Sequence, residues 1–465
     1  TDVALINGIM NVILEAGWHD QAVIDERTED FEKFRKVVAA FPPEKAAEVC
    51  GVSADDIRAI AEIYGRADKA SLVYCMGITQ HTTGVDNVKS LANLAMLTGN
   101  LGKESCGVNP LRGQNNVQGA CDMGGLPNVF TAYQPVTSSA AAEKFARAWG
   151  VESLSTMVGM TIPAMLEGLE GGTVKAMYVL GENPVVSDPD VNHVKKALEK
   201  AELLVVQDIF LTATAELADV VLPGVSFAEK DGTFSNTERR VSRVRQAVTP
   251  AGEARQDWWI IQEISRRFGY AMDYASPQAI FDEMTTLTPS YGGMTYERLE
   301  GDGLQWPCPT SDHPGTRFLH KDKVARGKGL FHAIAYQPPA EVVDAEYPLW
   351  LSTGRVFAHY HTGTMTRNSP TLDAEIEEGF LELSAEDATQ LGIADGEWVT
   401  LSSRRGSIEV RAMVTKRISV GSVFMPFHFI ESCANVVTNP AHDPICKIPE
   451  LKVCAVRVEK SARTS

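Results

Sequence analysis

Through its first 250 residues the chain alternates short apolar runs, closed by glycine or a polar turn, with stretches of helical spacing. Ser71-Leu-Val-Tyr-Cys75 runs into Gly77, and Asp86 to Leu97 reads as a helix stopped by Thr98-Gly99-Asn100. Lys175–Leu180, Leu203–Val206 and Val220–Leu222 repeat the strand pattern, with a charged helix expected over 190–200. Strands separated by helices imply a parallel sheet, and ligands gather at the carboxyl ends of its strands. The alternation predicts an α/β fold of doubly wound parallel-sheet domains. Ser53 is the expected N-cap of a helix whose first turn carries Asp55 and Asp56. From Tyr347 onward short strands follow closely: Phe380–Leu383, Glu397–Leu401, Ser407–Arg411, Val423–Met425 and Cys454–Val458, with a short helix after Ser384. That spacing predicts a barrel or sandwich. Residues 252–345 carry tryptophans, prolines and a basic run from Arg317 to Lys328, and read as a sparsely structured connector.

With 465 residues and 44% hydrophobic content, the chain can fill several cores. A net charge of −17 argues against a general nucleic-acid binder. No run of eighteen apolar residues occurs, so no membrane span is expected. Eight cysteines are scattered without a C-x-x-C pair, which predicts neither a zinc site nor an iron–sulfur site within this stretch. It also predicts no disulfide framework, and a reduced, cytoplasmic setting.

Chemistry concentrates in Leu111-Arg112-Gly113-Gln114-Asn115-Asn116-Val117-Gln118-Gly119-Ala120-Cys121-Asp122-Met123-Gly124. Glycines admit a ligand close to the backbone, amides offer donors and acceptors, and one arginine suits bidentate capture of a small carboxylate. The same residues also compose an ordinary Gly/Asn-rich turn with a solvated arginine. At strand ends stand Gly181-Glu182-Asn183-Pro184 and Gln207-Asp208, with Thr212 one turn on. Asp208 can accept two bonds from a guanine edge or simply cap a helix. Lys230 lies beside a glycine turn and is followed by Arg239, Arg240, Arg243 and Arg245. That cluster can neutralise pyrophosphate, face a partner, or be a solvated face. In the β-rich part, Thr353-Gly354-Arg355-Val356-Phe357-Ala358-His359-Tyr360-His361-Thr362 offers hydroxyls, an arginine and two histidines, with no thiolate or acid nearby to complete a metal site.

The stretch around Arg112, with Cys75-Met76-Gly77-Ile78-Thr79-Gln80-His81-Thr82-Thr83-Gly84, resembles molybdenum- or tungsten-dependent formate dehydrogenases of the dimethyl-sulfoxide-reductase superfamily. The resemblance implies reversible oxidation of formate to carbon dioxide, with Arg112 binding formate. It implies a bis-molybdopterin guanine dinucleotide cofactor holding molybdenum or tungsten. Cofactor contacts then fall on Asn183, Asp208, Lys230 and Asp257, with Gln114, Gly181, Gln207 and Thr212 in the same loops. Thr353, Gly354, Arg355, Val356, His359, His361 and Thr362 match the pterin-binding segment, and Phe427, Asn435 and Lys452 match contact positions in the tail. Thr1-Asp2 matches a guanine-binding pair, and Met76 and Gln80 the loop near the metal. His428 is a departure, a possible donor where related enzymes vary.

The family likeness further implies four regions: 1–113, part of one dinucleotide-binding domain; 114–251, a second; 252–345, the connector; and 346–465, a double-psi barrel. Because Thr1 matches a position inside a domain, the chain is expected to be the C-terminal half of a catalytic subunit and inactive alone. The metal ligand and iron–sulfur clusters, including a 4Fe-4S site, are then expected in an N-terminal half, and no metal ligand in this chain. Electron-transfer subunits carrying flavin and iron–sulfur groups and reducing NAD are the implied partners. A nitrate reductase or a catalytically silent pterin-binding scaffold would share the pterin contacts, but Arg112-Gly-Gln-Asn-Asn speaks against the first and the retained Lys230, Asp208, Arg355 and Lys452 against the second.

Overall fold

The computed structural model describes residues 1–463 and divides into two compact units. One comprises Thr1–Leu111, Arg317–Val356 and Glu378–Ser465; the other comprises Arg112–Thr316 and Phe357–Glu377. Among the described residues no helix is long and apolar enough to cross a membrane.

In the first unit the helix Asp2–Glu15 buries Ile6, Ile9, Met10 and Ile13 against the helices Pro43–Cys50, Ala54–Gly65 and Gly84–Leu97. Gly8 permits the close crossing, since a Cβ there would stand 2.7 Å from the Ala46 Cβ. Ser53 caps Ala54–Gly65 as expected, its hydroxyl accepting from the Asp56 amide at 3.1 Å. The strand Ser71–Tyr74 pairs in parallel with Gly107–Pro110. Residues 331–334 are tied to this bundle: Asn93 exchanges two bonds with the His332 backbone, at 2.8 and 3.0 Å, and Asn7 donates to the Ile334 carbonyl at 2.9 Å. A barrel closes through six strands in the order Leu349–Gly354, Ser422–Pro426, Phe380–Ser384, Ser407–Thr415, Trp398–Ser402 and Cys454–Lys460. Two of its pairings are parallel and four antiparallel. Alternate residues such as Leu349 and Leu351, Val399 and Leu401, and Val456 and Val458 fill its interior. Ser384 caps the following helix, as its sequence predicts.

In the second unit Ala176–Leu180, Leu203–Asp208 and Val220–Pro223 form a parallel sheet in sequential order. The expected parallel strands are present, but this sheet shows no reversal of strand order of the doubly wound kind. Gly232–Ser235, Arg240–Val244 and Leu304–Gln305 form a small antiparallel sheet.

The expected domain limits need correction. Residues 252–345 are not a sparse connector: they contain the helices Asp257–Arg267 and Pro277–Leu287, the latter capped by Ser276 with proline in its first turn. Phe281, Met284, Tyr291, Met294 and Leu299 bury a core there. This region is divided, its part to Thr316 in the second unit and the rest in the first. Likewise Phe357–Glu377, assigned from sequence to the barrel, belongs to the second unit. The arginine cluster is not a free cationic face either. Arg239 donates to the Trp306 and Thr316 carbonyls, Arg240 pairs with Glu238, and Arg243 and Arg245 both reach Glu300.

Candidate functional site

A cleft of about 380 Å³ opens in the second unit at the carboxyl ends of its parallel strands. Parallel strands leave their loops at this edge, which is where small-molecule sites form, typically at about 300–1,000 Å³. Of the residues expected as cofactor contacts, Gln114, Gly181, Asn183, Gln207, Asp208, Lys230, Asp257, His361 and Thr362 line it. Gly181 adopts φ +61°, and a Cβ there would meet nothing within 4 Å, so the backbone lies open.

The polar groups of the cleft are already ordered. Asp257 accepts from Gln207 Nε2 at 2.7 Å and from the Lys230 ammonium at 2.5 Å, while the Tyr178 hydroxyl donates to Gln207 Oε1. Asp208 Oδ1 accepts from the Ile209 amide at 2.6 Å, and burial raises this carboxyl above its ordinary range. Glu182, which sequence reasoning left out of the contact set, also lines the cleft. Burial, then the neighbouring Asp188 charge, pushes its carboxyl up to about 7, and Ser187 Oγ donates to it at 2.6 Å. Asn183 turns its Oδ1 to the Thr214 amide and hydroxyl, at 3.2 and 2.7 Å, and so also braces the loop.

Two expected contacts are placed elsewhere. Thr212 is buried with its hydroxyl accepting from the Ala215 amide at 3.1 Å, which starts the turn Ala215–Leu217. His359 is buried, its ring nitrogens 3.1 Å from Thr366 Oγ1 and 2.7 Å from the Ile376 carbonyl, which occupies the imidazole inside its own loop.

Arg112, in the same unit, is exposed but held from behind. Its Nε and Nη2 donate to Gln118 Oε1 at 3.2 and 3.0 Å, and its amide donates to Thr237 Oγ1 at 2.9 Å. Gln118 lies one turn before Asp122 on the helix Val117–Asp122 and donates to it at 2.8 Å. Gly119 on that helix is required by space, because a Cβ would stand 2.1 Å from Asn116 Oδ1 and 3.2 Å from the Ser235 nitrogen.

In the first unit a second set converges at the end of the barrel strand Leu349–Gly354. Lys452 donates to the Thr353 carbonyl, Thr353 Oγ1 donates to the Leu451 carbonyl at 2.6 Å, and Gly354 O accepts from the Phe427 amide at 3.2 Å. The Arg355 guanidinium lies 5.3 Å from the centre of the Phe427 ring, with Nη2 3.5 Å from Met76 Sδ. Burial, reinforced by the Arg355 charge, lowers the Lys452 ammonium to about 8. Gly354 packs so closely that a Cβ would stand 2.3 Å from the Phe424 ring. His428, unassigned from sequence, accepts from the Val356 amide at 3.0 Å and so shapes this loop. Gln80 closes the short helix Met76–Thr79, its amide donating to the Met76 carbonyl at 3.0 Å. Thr1 is the N-cap of the first helix, and Asp2 stands 3.9 Å from His81. Asn435 is buried and accepts from the Thr438 hydroxyl at 3.0 Å. Among the described residues no group of three or more His, Cys, Asp or Glu side chains could hold a metal ion.

The family model Molybdopterin oxidoreductase matches residues 1–267, and that of the Molydopterin dinucleotide binding domain matches residues 349–455. The F420-dependent formate dehydrogenase subunit alpha of Methanocaldococcus jannaschii is 52% identical over 464 residues, 99% of this chain and 68% of the relative. Formate dehydrogenase H of Escherichia coli is 44% identical over 469 residues, 99% of this chain and 66% of the relative. Acetylene hydratase from Pelobacter acetylenicus shares the fold, with a TM-score of 0.76 at 19% identity, covering 99% of this chain and 70% of that one. The expected correspondence to one half of a subunit is not borne out, since the aligned stretch is about two thirds of these relatives' length.

Proposed function

Since the chain belongs to the molybdopterin oxidoreductases, we propose that it serves the reversible oxidation of formate to carbon dioxide, a proton and two electrons, with Arg112 holding the carboxylate. The observation that carries this reading is the state of Arg112: exposed, yet fixed by a buried amide. Of the five N–H donors of a guanidinium, those spent on Gln118 lie on its Nε side. Both nitrogens of its outer edge still carry N–H groups, which is the geometry a carboxylate takes bidentately. The names of the relatives supply the substrate, since a loop of this kind would bind other small carboxylates equally well.

The residues present fit a molybdopterin guanine dinucleotide. Gly181 leaves backbone open to a ligand, and Glu182 and Asp208 are carboxyls raised by burial at the same strand ends. Carboxyls there suit the N–H edge of a guanine, and Lys230 with Asp257 supplies the charged side of the cleft. Arg355 and Lys452 present paired positive charge suited to a phosphate or a pterin edge. When bound as the bis-pterin molybdenum or tungsten form, the group supplies the two-electron acceptor. We read the closed barrel, with its two parallel pairings, as the double-psi barrel of this family. Electrons then pass to partner subunits, consistent with relatives named as alpha subunits. The F420 in the M. jannaschii name favours that carrier over NAD as the acceptor.

Arg112→Ala in the metal-loaded enzyme should lower formate turnover about thirtyfold or more, because losing a charge-assisted pair to the bound carboxylate costs about 2–5 kcal/mol. Metal and pterin content should stay unchanged. Turnover like that of the wild type at full metal content would overturn the assignment.

A further inference from the structure

We propose that Asp122 is a positioning residue for Arg112, acting through Gln118 to fix the direction in which the guanidinium meets its carboxylate. The inference rests on the role given to Arg112 above and adds what holds that residue in place.

Asp122 is fully buried at the end of the helix Val117–Asp122. Its Oδ1 accepts from Gln118 Nε2 at 2.8 Å and from the Tyr133 hydroxyl at 2.9 Å. Its Oδ2 accepts from the Tyr291 hydroxyl at 2.5 Å and from Trp306 Nε1 at 2.8 Å. Tyr133 OH in turn accepts from Gln118 Nε2 at 2.7 Å. An ionised carboxylate only accepts, so Gln118 must turn its amide nitrogen inward, and both of its N–H groups are used there. Its carbonyl oxygen is thereby forced outward, against Nε and Nη2 of Arg112. The flipped amide would set N–H against N–H at Arg112 and carbonyl against carboxylate at Asp122, so the charge of Asp122 selects one orientation. Burial and the Asp122 charge raise the Tyr133 and Tyr291 phenols, which keeps both as donors. Nothing in this circuit touches the substrate; it decides where the residue that does so points.

The substitution Asp122→Asn tests the arrangement sharply. Trp306 can only donate, so the new amide must turn its oxygen to Trp306 and its nitrogen to Gln118. Gln118 is then driven to flip, and its NH2 is set against the guanidinium. In the full metal-loaded enzyme we expect the formate KM to rise about tenfold or more with cofactor content unchanged. The formate Kd, measured by calorimetry on the reduced, acceptor-free enzyme, should rise by the same factor. Gln118→Met should raise Kd comparably, and adding Asp122→Asn to it should change Kd no further, because the effect runs through Gln118. Tyr291→Phe removes a donor from the far oxygen only, so it should lower Tm and leave Kd in place. Unchanged Kd in a folded Asp122→Asn, or multiplying effects in the double variant, would overturn the inference. Should Asp122→Asn not fold, Gln118→Met decides alone: a raised Kd supports it and an unchanged Kd overturns it. Arg112→Ala separates the two claims. If that variant binds formate normally, the functional reading fails; if it loses binding while Asp122→Asn and Gln118→Met do not, only this inference fails.

Discussion

Glu182 shows what a strand end in a parallel sheet does to a carboxyl. It follows the strand Ala176–Leu180, is largely buried, and has Asp188 and Asp208 close enough for their charges to act on it. Burial is the larger cause, and together these raise it from 4.5 to about 7. The fold therefore prefers the protonated form. The stability this contributes is fully present below pH ~4.5, where the unfolded chain is protonated too, and is lost as the pH rises through about 7. At ~1.4 kcal/mol per tenfold change in acidity, and allowing for partial solvent access, the difference is on the order of 2–3 kcal/mol. Glu182→Gln should then stabilise the protein by that amount at pH 8 and hardly at all at pH 4.5. Urea unfolding at the two pH values checks this, and an equal effect at both would show that the carboxyl ionises freely. Glu182 stands in the tetrapeptide Gly181–Pro184 that sequence reading singles out, but its role was not legible, since exposure and neighbours set its acidity. Arg112 was legible because it is one cation in a loop of glycines and amides. Gln118 and Asp122 carry a usable signal, the i, i+4 spacing of an amide and an acid on a short helix. Tyr133, Tyr291 and Trp306 carry none, because Trp306 reaches Asp122 from 184 positions away.

Elements were predicted well where the information is local. Ser53 and Ser384 both cap the helices that their sequences announce, because a cap involves only the next three residues. Helix packing is different. The helix Asp2–Glu15 can approach Pro43–Cys50 only through Gly8, and nothing near Gly8 in sequence says so. Gly8→Ala should cost about 1–3 kcal/mol through overpacking, despite the better helix propensity of alanine. A rise in Tm for that variant would show that the two helices part at little cost. The helices Asp257–Arg267 and Pro277–Leu287 escaped prediction because tryptophans and prolines around them obscure the apolar spacing. The core of Pro277–Leu287 is completed by Tyr291, Met294 and Leu299 from beyond the helix.

At the scale of the whole molecule, neither unit is a continuous stretch of chain, the first being assembled from three segments and the second from two. Long-range polar clamps add to the short parallel pairing of Thr28–Glu29 with Gly329–Leu330 in holding the first two segments together. Asn93 satisfies both backbone groups of His332 across 239 positions. Asn93→Ala would leave a carbonyl and an amide unpaired beside the core, at about 1–3 kcal/mol each. We expect a lowered Tm and faster proteolysis within 317–345, and unchanged cleavage there would show that the apolar contact of Phe331 suffices. The sequence alone determined the three parallel strands of the second unit, five of the six barrel strands (all but Leu349–Gly354), and the loops that carry the polar residues lining the cleft. These properties depend on apolar period, turn chemistry and residue type, all of which act over a few positions. Only the tertiary structure decided that 357–377 leaves the barrel, that Thr212, His359 and the arginines after Lys230 satisfy their own surroundings, and that a buried carboxylate aims Arg112. Each of those outcomes turns on which distant donor or acceptor is brought within about 3 Å, and chain proximity carries no record of it.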